Sequence, residues 1–156
     1  MSRIFAIDPG PAESAWVKLA DGKVYDCAIA PNAELYTEII LATGYTFAIE
    51  QIRSYGMAVG AEVFETCEWC GRFDRQIELS HGIRALFVPR KDVKLHLCGN
   101  TKAKDPNIRQ ALIDLLGPQG TKKAPGPTYG VKSHIWAALA VAVTAQHQLT
   151  SIEVAA

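Results

Sequence analysis

A chain of 156 residues is about one domain's worth, and its 49% apolar and 21% charged residues exclude a disordered tail or a collagen-like filament. No apolar run approaches the roughly 18–20 residues that span a bilayer, no charged-then-apolar leader precedes the first strand-like run, and four cysteines without an extracellular context suit a reduced interior. The expectation is a single cytoplasmic domain over residues 1–156 with no membrane partner. The net charge of zero hides a segregation: residues 84–132 hold ten Lys or Arg against three acids, an excess of seven that the rest of the chain balances. Such a basic block suits a polyanionic partner whose counterions it displaces; it equally suits a solvated face.

In chain order, residues 3–8 (RIFAID) form a short apolar run closed by Pro9-Gly10, the mark of a buried strand ending in a turn. Residues 14–20 and 23–30 are two further strands around Asp21-Gly22, the pair that favours a tight hairpin. Asn32 is placed as the N-cap of a helix to about residue 43, ended by Gly44. Residues 46–50 (TFAIE) repeat the pattern of an apolar strand ending in a carboxylate. A long helix is predicted over residues 56–80, with Met57, Ala61, Phe64, Cys67, Phe73 and Ile77 on its apolar side. Residues 85–88 make a further strand, and residues 91–97 a short helix ended by Gly99-Asn100. Asp105 before Pro106 starts a helix to about residue 116. Residues 117–130, with four Gly and three Pro, form a loop, and an Ala-rich helix occupies residues 133–149. This order predicts an α/β fold: a mixed central sheet, antiparallel in its first strands and then parallel, flanked by helices.

Asp8 and Glu50 close two predicted strands. Carboxylates on adjacent central strands can converge on hard cations, and two such ions about 3.5–4 Å apart would serve in-line phosphoryl displacement. Each acid taken alone is an ordinary exposed strand end. His134 opens the last helix, where an imidazole can ligate a metal, act as a base, or simply cap the helix. Cys67 and Cys70 form a lone CxxC in mid-helix without the further ligands of a zinc site, and are read as core cysteines one turn apart. Lys122 and Lys123 sit in a loop that lacks the order of a phosphate-binding loop, yet they remain available to DNA phosphates.

Residues 3–10 (RIFAIDPG) followed by residues 48–52 (AIEQI) resemble the first two motifs of the RuvC-type Holliday junction resolvases, of the ribonuclease H-like superfamily. Residues 93–105 (VKLHLCGNTKAKD) resemble that family's lysine-bearing stretch, and residues 134–144 (HIWAALAVAVT) its C-terminal helix. The shortness of the chain resembles a phage or prophage member. The resemblance implies a homodimeric nuclease that cuts branched DNA, the four-way junction, by paired symmetric nicks leaving 5′-phosphate and 3′-hydroxyl ends. It implies that Asp8, Glu50 and His134 bind Mg²⁺ or Mn²⁺, two ions per site, and that Lys94 stands near the scissile phosphate. Lys91, Lys94, Lys102, Lys104, Lys122, Lys123 and Lys132 are the lysines expected to bind DNA. A location in the cytoplasm of a bacterial or phage-infected cell follows from the same likeness.

One position departs from the family pattern: Ala137 stands where the final acid is expected, and Asp105 is the candidate stand-in. Two other activities remain open, a branched-DNA binder that no longer cuts and a ribonuclease H-like enzyme acting on RNA. Sugar-kinase and actin-like relatives need two domains and phosphate loops that this chain lacks. Residues 57–73 are expected at the dimer interface, because Phe64, Trp69 and Phe73 exceed what one small sheet can cover, and Tyr55 and Met57 are candidates to wedge into an opened junction.

Overall fold

Asp21 and Gly22 both take positive φ, 52° and 71°, as a tight hairpin between right-twisted strands requires. That turn joins β2 (Glu13–Ala20) to β3 (Lys23–Pro31) in the computed structural model, which describes residues 2–156. Before them runs β1 (Ile4–Asp8); after them come α1 (Asn32–Leu41), β4 (Thr46–Gln51), α2 (Ala61–His81) and β5 (Leu86–Pro89). The chain closes with α3 (Arg90–Cys98), α4 (Asp105–Leu116) and α5 (Ile135–Ala155). The sheet order is β3-β2-β1-β4-β5. β1 pairs antiparallel with β2, and β2 with β3, whereas β1–β4 and β4–β5 are parallel. The mixed sheet is as the sequence pattern implies.

Alternation along the strands divides the interior into two layers. Ile4, Ala6 and Ala48 face α5, which packs with α3 and α4. Phe5, Ile7, Phe47 and Ile49 face α1 and α2. From Ile135 to Gln146 every residue of α5 except Ala137 is buried, so this half is a nearly all-apolar core helix, its polar Thr144 and Gln146 donating to the carbonyls of Ala140 and Ser2. Alanines at 138, 142 and 145, spaced along one side, and Ala140 on the other keep the buried surface of the helix shallow. Among the described residues no helix is long and apolar enough to cross a membrane.

Several boundaries differ from expectation for identifiable reasons. Pro31, not Asn32, holds the N-cap position of α1; Asn32 is the first helical residue and its side chain is buried in a polar network described below. α2 starts at Ala61 rather than residue 56, because Gly56 takes φ of 82° and Gly60 is extended; residues 53–60 are exposed, with no buried face to favour helix. Lys104, not Asp105, is the N-cap of α4, and its N–H is taken by Asn107 Oδ1 at 2.9 Å. α5 runs on to Ala155. Only Cys70 of the CxxC pair is buried, while Cys67 is exposed; all four cysteines are free. Burial pushes the Cys70 thiol up to about 12, which leaves it unreactive.

Candidate active site

Ile7 pairs with Ile49 across the parallel β1–β4 ladder, so Asp8 and Glu50 follow at neighbouring C-terminal strand ends. By the period of two they point to the face of Ala6 and Ala48, toward the start of α5. The two carboxyls lie within hydrogen-bonding reach of each other. Glu50 is 7% exposed. Burial, then the hydrogen bond and charge of Asp8, push Glu50 up to about 8, against the pull of Arg90. Burial likewise raises Asp8, held back by the bond from Glu50 and by Arg90. Two apposed buried carboxyls cannot both ionise cheaply, so in the absence of a cation the pair retains a proton.

The turn that follows Asp8 is closed by a ring of hydrogen bonds. Gly10 N–H donates to Ser14 Oγ (3.1 Å), the Ser14 hydroxyl to Asn32 Oδ1 (2.6 Å), and Asn32 Nδ2 to the Gly10 carbonyl (2.9 Å). A Cβ at residue 10 would lie 2.3 Å from the Glu13 carbonyl oxygen, so only glycine fits here. Asn32 therefore braces the end of β1 from two elements away. This explains its burial.

His134 reaches the pair from the N-cap position of α5, its Nδ1 3.3 Å from Asp8 Oδ2. Ser133 takes φ of 49°, an uncommon left-handed conformation for a residue with a Cβ. This turns the chain into the helix just ahead of the imidazole. From the opposite side Arg90, the first residue of α3, places Nη1 3.7 Å from Glu50 Oε1 and pairs through Nη2 with Asp105 at the start of α4. Between these groups opens a cleft of about 680 Å³, whose rim adds Arg109, Trp136 and Ala137. Arg109 lies over the Trp136 ring, 5.0 Å from its centroid.

The fold thus brings Asp8, Glu50 and His134 together and adds Asp105 to the same cleft. Lys94 is not among the lining residues; it is half-buried one turn beyond Arg90 on α3. Lys91, Lys102, Lys104, Lys122, Lys123 and Lys132 are exposed and likewise do not line the cleft. Arg90, Arg109 and Trp136 were not singled out from the sequence; the first two are part of the basic block, but nothing local marks them as facing strand-end acids. At residues 57–73 Phe73 is buried and stacks with a half-buried Trp69, whereas Phe64 is 62% and Met57 78% exposed. Tyr55 is also exposed.

Two converging carboxylates with an imidazole beside them are the oxygen-rich donor set that suits Mg²⁺ or Mn²⁺. Among the described residues no three His, Cys, Asp or Glu side chains are grouped tightly enough to hold an ion as they stand. Asp8 and Glu50 form a two-carboxylate nucleus. The side chains of His134 and Asp105, 76% and 83% exposed, have the freedom to turn toward it.

No family model and no curated protein matches the chain. Solved structures do match by fold. The Thermus thermophilus RuvC structure superposes with a TM-score of 0.69 at 18% identity, covering 91% of this chain and 92% of that one. T. thermophilus RuvC in complex with a Holliday junction substrate superposes with a TM-score of 0.70 at 18% identity, covering 92% of each chain. The chain has the ribonuclease H-like fold of RuvC.

Proposed function

We propose that the chain is a single-domain, metal-dependent endonuclease that resolves four-way DNA junctions by paired nicks. The observation that carries this reading is the apposition of Asp8 and Glu50 at adjacent strand ends, with His134 3.3 Å from Asp8. The shared fold with RuvC supports it. Asp8, Glu50 and His134 are the residues that would hold Mg²⁺ or Mn²⁺, two ions per site, with Asp105 standing in for the acid absent at position 137. When bound, such ions activate water and steady the leaving oxygen of a phosphodiester.

The protein's own groups have separate tasks. Asp8 engages Nδ1 of His134, which favours the tautomer with Nε2 open to the cleft as ligand or proton acceptor. Glu50 must give up its proton before the site can act, and Arg90 favours that ionisation. The exposed lysines, from Lys91 to Lys132, extend a field that attracts phosphate backbones without reading bases. Products with 5′-phosphate and 3′-hydroxyl ends follow if water attacks in line and the 3′ oxygen leaves. Two copies would present two such sites to a symmetric junction, pairing through the exposed segment ahead of α2 at Met57 and the start of α2 at Phe64.

Ala137 favours a second reading, a branched-DNA binder without nuclease activity, because the family pattern has an acid there. Gel-shift and cleavage assays on a synthetic four-way junction, with and without Mg²⁺ or Mn²⁺, separate the two. Paired nicks that need metal are expected. Binding without nicks, with nicking gained in Ala137→Asp, would establish that a ligand is missing. Absence of junction binding, alongside cutting of an RNA–DNA hybrid, would replace DNA with RNA as substrate.

A further inference from the structure

The cleft poses an electrostatic problem for its proposed substrate. Asp8, Glu50 and Asp105 all border it, so a phosphodiester approaching the acid pair meets like charge. Two guanidiniums line the same space, and they differ in what they hold. Arg90 is committed to Glu50 and Asp105. Arg109, one turn into α4 from Asp105, is exposed. Among the described residues it has no carboxylate within ion-pair distance and no hydrogen-bond partner. Its guanidinium carbon lies instead over the ring of Trp136, itself 8% exposed and a cleft residue.

Stacking on an indole face restrains a guanidinium without using its N–H edge. The free edge then presents parallel donors spaced for two phosphate oxygens. A lysine in this position would be a mobile point charge. Lys94, the lysine that the family likeness places by the phosphate, does not line the cleft.

We infer that Arg109, its guanidinium held over the Trp136 ring, receives the non-bridging oxygens of the phosphodiester that enters the cleft. This rests on the nuclease reading of Asp8 and Glu50. Arg109 positions the phosphate at the acidic cleft beside any cations held there, while Trp136 acts through Arg109 as a positioning residue.

The test pairs protein variants with junctions that each carry one neutral methylphosphonate near the branch point, measured by gel shift in Ca²⁺ so that binding is read without cutting. Arg109→Ala is expected to lose about tenfold in affinity for the unmodified junction, the worth of one charge-assisted hydrogen bond. One methylphosphonate position should cost the parent a similar factor and cost Arg109→Ala nothing further. Arg109→Lys should recover only part of the loss, and Trp136→Phe should fall between parent and Arg109→Ala. Thermal melting confirms that each variant is folded. Equal binding by parent and Arg109→Ala, or losses that add at every methylphosphonate position, would overturn the assignment while leaving the nuclease reading intact. If the parent binds no junction, the junction reading fails and the role of Arg109 on junction DNA fails with it.

Discussion

The two faces of the sheet use opposite materials. The α1/α2 face is filled with rings: Phe5 stacks on Trp16 at 5.4 Å and 11°, Phe5 meets Phe47, and Tyr36, Trp69 and Phe73 form a second group. The α5 face is aliphatic, dominated by Ala, Val and Ile. Both strand-end acids of the cleft, Asp8 and Glu50, lie at the edge of the aliphatic face. Large rings give burial energy but demand space, whereas small side chains let a helix approach close enough for its first turn to reach a strand end. The aromatic layer supplies stability, and the alanine layer supplies proximity.

That division can be broken from either side. The largest effect is expected at the acid pair: Asp8→Asn and Glu50→Gln should each lower junction cleavage by about 10³-fold or more, as loss of a group acting with a metal does, with junction binding retained. Parental cutting rates in either variant would remove the pair from the mechanism. On the other face, Phe73→Ala should lose about 3–5 kcal/mol of stability in chemical denaturation, and the remaining folded protein should cut normally.

A smaller effect follows from Glu50's raised pKa. The folded state keeps its proton up to about 8, while an unfolded Glu releases it near its ordinary value of about 4.3. Between those values the native state holds more protons, so metal-free protein should lose stability as pH rises across that window. Glu50→Gln should flatten the dependence, and added Mn²⁺ should stabilise most at the alkaline end, where both carboxyls are free to bind it. A melting temperature that rises with pH in metal-free buffer would contradict the shared proton. The smallest effect is set by the outlying lysines. Replacing Lys122 and Lys123 together with Ala should reduce the slope of log binding constant against log salt by about 2, with cleavage of saturated junction unchanged.

Asp8 and Glu50 were legible in the sequence because two local rules sufficed: an apolar run identifies a buried strand, and a terminal carboxylate at matched registers places both acids at one sheet end. His134 was legible as a helix start. Asn32 was misplaced because its type suits a cap, while its actual partners, Ser14 and Gly10, come from a different part of the chain. Arg90 and Arg109 reach the cleft only once α3 and α4 dock beside α5, and no short-range pattern encodes that docking; Asp105, the stand-in acid suggested by the family likeness, arrives with them. The CxxC pair differs from expectation because the buried side of α2 runs through Thr66, Cys70, Phe73 and Ile77, and Cys67 falls beyond its edge.

The alanines of α5 have one more consequence. His134 and Trp136 ride on the first turn of a helix seated against the sheet by methyl groups, so those methyls act as a shim that sets the gap between imidazole and carboxylate. Ala138, Ala142 and Ala145, which share one side of α5, are all buried along the helix behind the cleft. Adding a single carbon to that layer would retune the mouth of the cleft without touching any group that lines it, which makes the hidden layer a site of adjustment as well as of support.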